Sequence, residues 1–251
     1  MSHPRVAGVV DSAQACPQET EARQRIKRAA FHLFGARGYS CTSIQDIADA
    51  AEVQKSILYY YFGSKEGLYQ TLYSESAKSL QTFLLQALHD VGLPSEGLEN
   101  GWRVEPPATI SCETLLSTLA ETLISLARDN REPVRFFMAH IFAPDGDRPP
   151  VSTDEMEHIT PHLIQHIALC GMRRGELSGD LGALDRLLLG ALQYSIIRHL
   201  RNPEQEPLTA GLGQSIVRAL LHGFSPREQL AKTPQRRTRP GVSRMSARMG
   251  K

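Results

Sequence analysis

Lys55, Ile57, Tyr59, Tyr60 and Lys65 fall in one stretch of the chain, residues 42–66, TSIQDIADAAEVQKSILYYYFGSKE. A lysine ammonium can reach guanine O6 or N7, and an apolar side chain can touch a thymine methyl group. Phenolic hydroxyls suit phosphate oxygens, which fix register on a duplex without reading its sequence. A catalytic site would bring acids, bases or nucleophiles beside such residues, and a helical core has no need of consecutive tyrosines. The chemistry of the stretch is that of nucleic-acid contact.

Those side chains need elements to present them. Thr42 precedes an apolar-periodic run, with Gln45 at the spacing of a capping box. Ile44, Ile47, Ala48 and Ala51 then recur at helical intervals on one short apolar face. A second helix begins near Gln54, with Leu58 and Phe62 inward and Lys55, Ser56, Ile57, Tyr59, Tyr60 and Tyr61 wholly or partly outward. The pair reads as a DNA-binding helix-turn-helix. Lys65 opens the next helix, where its charge is expected to hold a phosphate. The hydroxyls of Thr42 and Ser43, with the free N–H groups of that helix start, are expected to clamp another. The DNA-facing set is therefore Thr42, Ser43, Gln54, Lys55, Ser56, Ile57, Tyr59, Tyr60 and Lys65.

From about residue 20 to 75 the chain resembles the DNA-binding domain of the TetR family of bacterial transcriptional regulators. The resemblance is carried by Ile26, Ala29, Ala30, Leu33 and Phe34, then Gly38-Tyr39, Thr42-Ser43-Ile44, Ile47-Ala48, Ala51 and Val53. It continues through Leu58-Tyr59-Tyr60-Tyr61-Phe62, Ser64-Lys65-Glu66 and Leu68. Ser56 stands where glycine is usual and Tyr61 where histidine is commoner, departures that bear on which sequence is bound. The resemblance implies a first helix, about 20–37, that supports the reading head. It also implies a helix from near Ser64 that runs on as a connecting rod through Leu68, Leu72, Leu80, Phe83, Leu84 and Leu88.

Beyond the rod, helical periodicity recurs at about 112–129, 131–142, 153–173, 181–201 and 207–223, and strand alternation is essentially absent. The fold class is all-α; by the resemblance, an N-terminal three-helix helix-turn-helix domain is followed by a larger helical ligand-binding and dimerisation domain. The organisation reads as a disordered arm (1–19), the DNA-binding domain (20–66), the effector-binding and dimerisation domain (67–224) and a basic disordered tail (225–251). The tail carries eight Lys or Arg against Glu228, so a net charge of +1 conceals a net-acidic remainder. No apolar run reaches the length of a membrane span, and the N-terminus lacks the apolar segment of a signal peptide, so a cytoplasmic protein is expected.

Leu181, Leu184, Leu188, Ala191, Leu192, Ser195 and His199 share one helix face, and Leu208, Leu212, Ser215, Ile216, Ala219 and Leu220 another. By the resemblance, the helices at 181–201 and 207–223 of two copies build a four-helix dimer bundle; intrachain core is the other reading of both faces. A dimer also doubles the base contacts of one small head across a palindromic operator in double-stranded DNA.

The densest apolar cluster is Phe136, Phe137, Met138, His140, Ile141 and Phe142, and by the resemblance this is the region where a small hydrophobic effector would bind. Leu119, Leu123, Phe137, His140, Ile141, His162, His166 and Tyr194 are the expected lining, and by resemblance the effector moves the connecting helix and releases the operator. His158, His162 and His166 stand four apart, with Glu155 nearby, as a metal site would require. Pro161 interrupts them and fits the first position of a helix capped by Thr160, which leaves His158 outside. No metal or cofactor is expected. Cys16, Cys41, Cys112 and Cys170 lack metal spacing and read as reduced thiols.

The chain carries no nucleophile elbow, phosphate-binding glycine loop or cofactor fingerprint, so an enzyme is not expected. The leading function is a ligand-responsive homodimeric repressor. An activator of the same fold and a DNA-architectural protein without sequence preference are the alternatives.

Overall fold

The computed structural model describes residues 17–94, 105–144, 146–149, 151 and 159–223. Among these, every regular element is a helix: α1 (Pro17–Arg37), α2 (Ile44–Ala50), α3 (Lys55–Phe62), α4 (Lys65–Asp90), α5 (Cys112–Asp129), α6 (Arg131–Ile141), α7 (Ile159–Arg173), α8 (Leu181–Arg201) and α9 (Leu212–His222). The basic tail and the arm before Pro17 lie outside the described residues. α1 opens at Pro17, inside the span expected to be an arm, because proline's fixed φ and missing N–H suit a first helical turn.

Two apolar clusters organise the chain. The first joins Ile26, Ala30, Leu33 and Phe34 of α1 to Ile47, Leu58 and Phe62 of α2 and α3. It also takes in Leu68, Tyr69, Leu72 and Tyr73 of α4, and Phe136 of α6, so the head's core extends well past residue 66. The Phe136 ring sits 5.4 Å from Phe31, 6.3 Å from Phe34 and 4.9 Å from Tyr69. α6 approaches this closely because Gly35 has no side chain: a Cβ there would stand 3.1 Å from the Phe136 amide nitrogen and from Arg135 Cγ.

The second cluster is aliphatic and holds Leu84 and Leu88 of α4, Leu115, Leu116, Leu119 and Ile124 of α5, Leu163, Ile164 and Ile167 of α7, and Leu188, Leu192 and Ile196 of α8. Val217 of α9 completes it. α9 starts at Leu212, later than the spacing predicts, because Gly211 takes a left-handed φ of +85° before it. Its N-terminus has no side-chain cap of its own. Glu121 of α5 supplies one from outside, its carboxylate accepting the Gly211 and Gly213 amides at 2.9 and 3.0 Å. Gly213 then lies directly on α5, where a Cβ would come within 2.5 Å of the Ala120 carbonyl carbon.

α4 runs through both clusters, and α6, with Phe136 in the first and Val134 and Met138 packed against the second, also touches both. Arg131 and Arg135 each donate to the Leu200 carbonyl at 3.0 Å, placing two positive charges at the C-terminal end of α8. Phe136 plugs the head's core from the same helix. α7 begins at Ile159, so Pro161 falls within its first turn and does not start it, a position where the missing N–H costs no helical bond. Thr160 is thus helical and not a cap, while His158 and Glu155 lie outside the described residues.

Candidate DNA interface and effector region

α3 is held by its inner face alone. Leu58 is fully buried and Phe62 nearly so, with the Arg23 guanidinium 5.7 Å from the Phe62 ring centroid. The outer face keeps large apolar surface in water: Ile57 is 39 % exposed and Tyr60 73 %. Tyr59, Lys55, Ser56 and the N-cap residue Gln54 are exposed beside them, and Gln54 makes no side-chain cap bond. Tyr60 rests edge-on against Tyr61 at 5.1 Å, which orients its ring on the outside of the helix. These six side chains form one continuous face around the start and outer side of α3, and they correspond to the recognition-helix part of the expected set.

The rest of that set is arranged differently. Thr42 is 1 % exposed, and its hydroxyl donates inward to the Gly38 carbonyl at 2.8 Å and the Leu33 carbonyl at 3.3 Å. It therefore stitches the end of α1 to the turn and has no hydroxyl to offer a phosphate. The capping box is one residue later than the spacing predicts: the Asp46 amide donates to Ser43 Oγ at 3.1 Å, and the Ser43 amide to the Asp46 carboxylate at 2.8 Å. Hydrogen bonds from the Ser43 hydroxyl and amide hold the Asp46 carboxyl below its usual range. Ser43 stays exposed, but its hydroxyl is engaged in the cap.

Lys65 is also turned inward. Its Nζ donates to the Tyr39 carbonyl at 2.9 Å and the Thr42 carbonyl at 3.0 Å, and lies 4.0 Å from the Tyr39 ring centroid. Burial pulls the ammonium below its usual value, against the opposing influence of Asp147 and Cys41. The expected phosphate clamp is instead an internal bolt between α4 and the α1–α2 turn. Tyr39, half of that bolt, stacks on Phe34 at 5.8 Å. Sequence reasoning assigned it no such role, because an aromatic ring after a glycine gives no sign of which cation it will face.

The effector lining divides. Leu119 is closed inside the aliphatic cluster, while Leu123 packs at its margin. Phe137 stacks on Tyr73 at 5.7 Å, and His140 is buried with Nδ1 2.9 Å from the Tyr69 hydroxyl. Burial raises the Tyr69 phenol above its usual value, so this bond keeps its proton at ordinary pH. Ile141 is half-buried at the end of α6, His162 is exposed, and His166 Nε2 lies 3.8 Å from the Cys170 sulfur. Tyr194 is 61 % exposed on the outside of α8. It borders a surface cleft of about 320 Å³ with Ser195, Arg198, Pro207, Leu208 and Thr209. The residues named from the sequence do not surround one space: α6 turns its aromatic residues toward α1 and α4, where they serve as core.

Of the two faces named for a dimer, four residues follow the intrachain-core reading. Leu188, Leu192, His199 and Leu208 are buried within the same chain, and Leu208 lies in the turn before α9. The outer side of α8 instead exposes Leu187, at 58 %, with Gly190 and Tyr194 at helical spacing along it. Among the described residues, no helix is long and apolar enough to cross a membrane.

Comparison with known proteins bears on the head and on the fold. Residues 26–72 match the family described as bacterial regulatory proteins, tetR family. The HTH-type transcriptional repressor DhaR of Mycobacterium sp. (strain GP1) is 36 % identical over 75 residues, which cover 30 % of this chain and 38 % of the repressor. The chain thus spans well under half the length of that curated relative. Similarity in fold runs further. The MbdR regulator from Azoarcus sp. CIB superposes with a TM-score of 0.61 at 16 % identity, covering 81 % of this chain and 99 % of its own. FadR from Bacillus subtilis in complex with stearoyl-CoA gives a TM-score of 0.59 at 16 % identity, covering 80 % and 99 %.

Proposed function

The chain belongs to the TetR family of bacterial regulatory proteins, and from that premise we propose that it is a homodimeric repressor, released from a palindromic operator by a small hydrophobic effector. The observation that carries this reading is the outer face of α3, which leaves Ile57 and Tyr60 in water on an otherwise firmly packed head. Exposed apolar surface of this kind marks an interaction site. Lys55 and Ile57 read base edges in the major groove, with Ser56 and Gln54 at the mouth of the helix, while Tyr59 and Tyr60 contact phosphates.

Two heads act together through the outer face of α8, around Leu187, Gly190 and Tyr194, with α9 beside it. Half-site spacing follows from the two-fold arrangement. The effector enters the helical body next to α6, the helix that packs on both the head and the end of α8. An apolar effector suits a body built from leucine and isoleucine, and the similarity in fold to a regulator crystallised with stearoyl-CoA supports an effector with a long apolar part. The protein acts in the cytoplasm on chromosomal DNA, and its role is regulatory and not catalytic.

The test is selection of fragmented genomic DNA by the purified protein at about 0.15 M salt, where screening weakens nonspecific attraction. A few enriched fragments sharing a palindrome are expected, lost when an apolar effector is added. Uniform recovery of all fragments, with no response to any apolar ligand, would instead establish an architectural binder.

A further inference from the structure

We propose that Asp147, in the segment that follows α6, is a positioning residue for DNA binding that sets which partner Lys65 takes. With the carboxylate beside the α1–α2 turn, the ammonium stays inside as a bolt; without it, the ammonium turns outward to a DNA phosphate. This inference rests on the DNA-binding reading given above and adds to it a control exerted from the body.

The segment is seated on the head at three points. Arg148 ties it to the end of α6, Nη1 donating to the His140 carbonyl at 2.9 Å. Val151 packs against the aromatic core of the head. Between these anchors the chain is folded back by the Asp147 amide, which donates to the Pro144 carbonyl at 3.1 Å. The Asp147 carboxylate then faces the α1–α2 turn, where a Cβ at Gly38 would stand 3.8 Å from its Oδ2. The next residue along that turn is Tyr39, whose carbonyl and ring both receive Lys65.

The inward pose of Lys65 is met by dipoles. Two carbonyls and one aromatic face surround a part-buried ammonium, and neither supplies a negative charge. Taking an ammonium out of water is costly unless a counter-charge stands near it. Burial pulls the Lys65 ammonium below its usual value, and Asp147 is the foremost influence working the other way. A phosphate oxygen is the competing partner. Lys65 opens α4 directly after the exposed pair Gly63-Ser64, and its flexible four-carbon stem can swing from one partner to the other. Asp147 is carried by the segment anchored to α6, so a displacement of α6 moves the counter-charge. The grip of the head on DNA is thereby tied to α6 by a route separate from α4.

The experiment compares the parent chain with Asp147→Asn, Asp147→Glu, and Asp147→Asn combined with Lys65→Ala. Binding to a duplex recovered by the genomic selection is followed between about 50 and 200 mM salt. Asp147→Asn is expected to steepen the fall of log K with log salt by about 0.9, the increment for one further phosphate. Asp147→Glu, which keeps the charge, should retain the parent slope, and adding Lys65→Ala to Asp147→Asn should restore it. Equal slopes for the parent and Asp147→Asn overturn the proposal. So does a steeper slope that survives Lys65→Ala, since removal of a negative charge near DNA would then account for it. A readout without DNA separates this inference from the reading beneath it. Brief treatment with acetic anhydride, mapped by peptide mass, should acetylate Lys65 several-fold faster in Asp147→Asn than in the parent, with exposed Lys55 unchanged as the internal reference. An unchanged Lys65 rate overturns the proposal whether or not the protein binds DNA. A faster Lys65 in a protein that binds no duplex refutes the DNA reading, and with it the phosphate as the second partner.

Discussion

The head and the body of this molecule solve the same packing problem with different means. The head is small, and a small unit buries a lower fraction of its surface. It therefore supplements its core with aromatic rings and with polar side chains driven into backbone carbonyls: Thr42 onto Gly38 and Leu33, Lys65 onto Tyr39 and Thr42. The body has aliphatic volume to spare and brings helices together until their backbones touch, as at Gly213 on α5. A polar residue in the head is thus as apt to be structural as functional. In the body, an apolar face is as apt to be core as interface.

The sharpest way to break that comparison is in the body. Leu188→Glu would bury a carboxylate in the aliphatic cluster and is expected to abolish folding, a loss of more than about 4 kcal/mol. Leu187→Glu, one residue away but exposed, is expected to leave each chain folded by circular dichroism and to convert dimers to monomers by light scattering. A folded Leu188→Glu protein would show that this side of α8 is not core.

Gly213→Ala comes next. Its methyl group would meet the α5 backbone within 2.5 Å, and a clash with backbone cannot be relieved by a rotamer change. Urea unfolding should report a loss of about 3 kcal/mol.

In the head, Lys65→Ala should cost about 2 kcal/mol, since two carbonyls lose a charged donor. Corrected for the fraction folded, operator binding should keep the salt dependence of the parent protein. A slope shallower by about one would return Lys65 to the phosphate backbone.

The smallest effect is a pH dependence. The Cys112 thiol is raised in the folded chain from an ordinary 9.0 to about 12. A group raised on folding contributes stability that is complete below its unfolded value and is lost as pH climbs toward the folded one. Stability should therefore begin to fall above about pH 9, amounting to about 1 kcal/mol by pH 10. Tyr69, raised from 10.0 by burial, adds its own loss only above that value. Denaturant midpoints at pH 8 and pH 10 should show the early part of the decline in the parent protein and not in Cys112→Ser.

Much of this was open to reading from residue order. Periodicity set the limits of α5 and α8, and Gly38 announced the end of α1 with the left-handed φ of +81° that it adopts. The outward set on α3 followed from Leu58 and Phe62 alone, since two inward positions on a short helix dictate where the others point. The aromatic richness of α6 was visible as well, although its destination was not.

Local order along one chain determined which segments are helices, where they end and which side of α3 faces out, because backbone geometry and helical spacing act within a few residues. Only the tertiary structure decided which partner each surface meets. The Thr42 hydroxyl and the Lys65 ammonium could equally bond a phosphate or a carbonyl, and α8 carries apolar residues on two sides. The choice depends on groups brought near from elsewhere in the chain: the α1–α2 turn for Lys65, α5 and α7 for Leu188, α1 and α4 for Phe136. Burial is a property of those neighbours and not of the residue, which is why it could not be read from spacing.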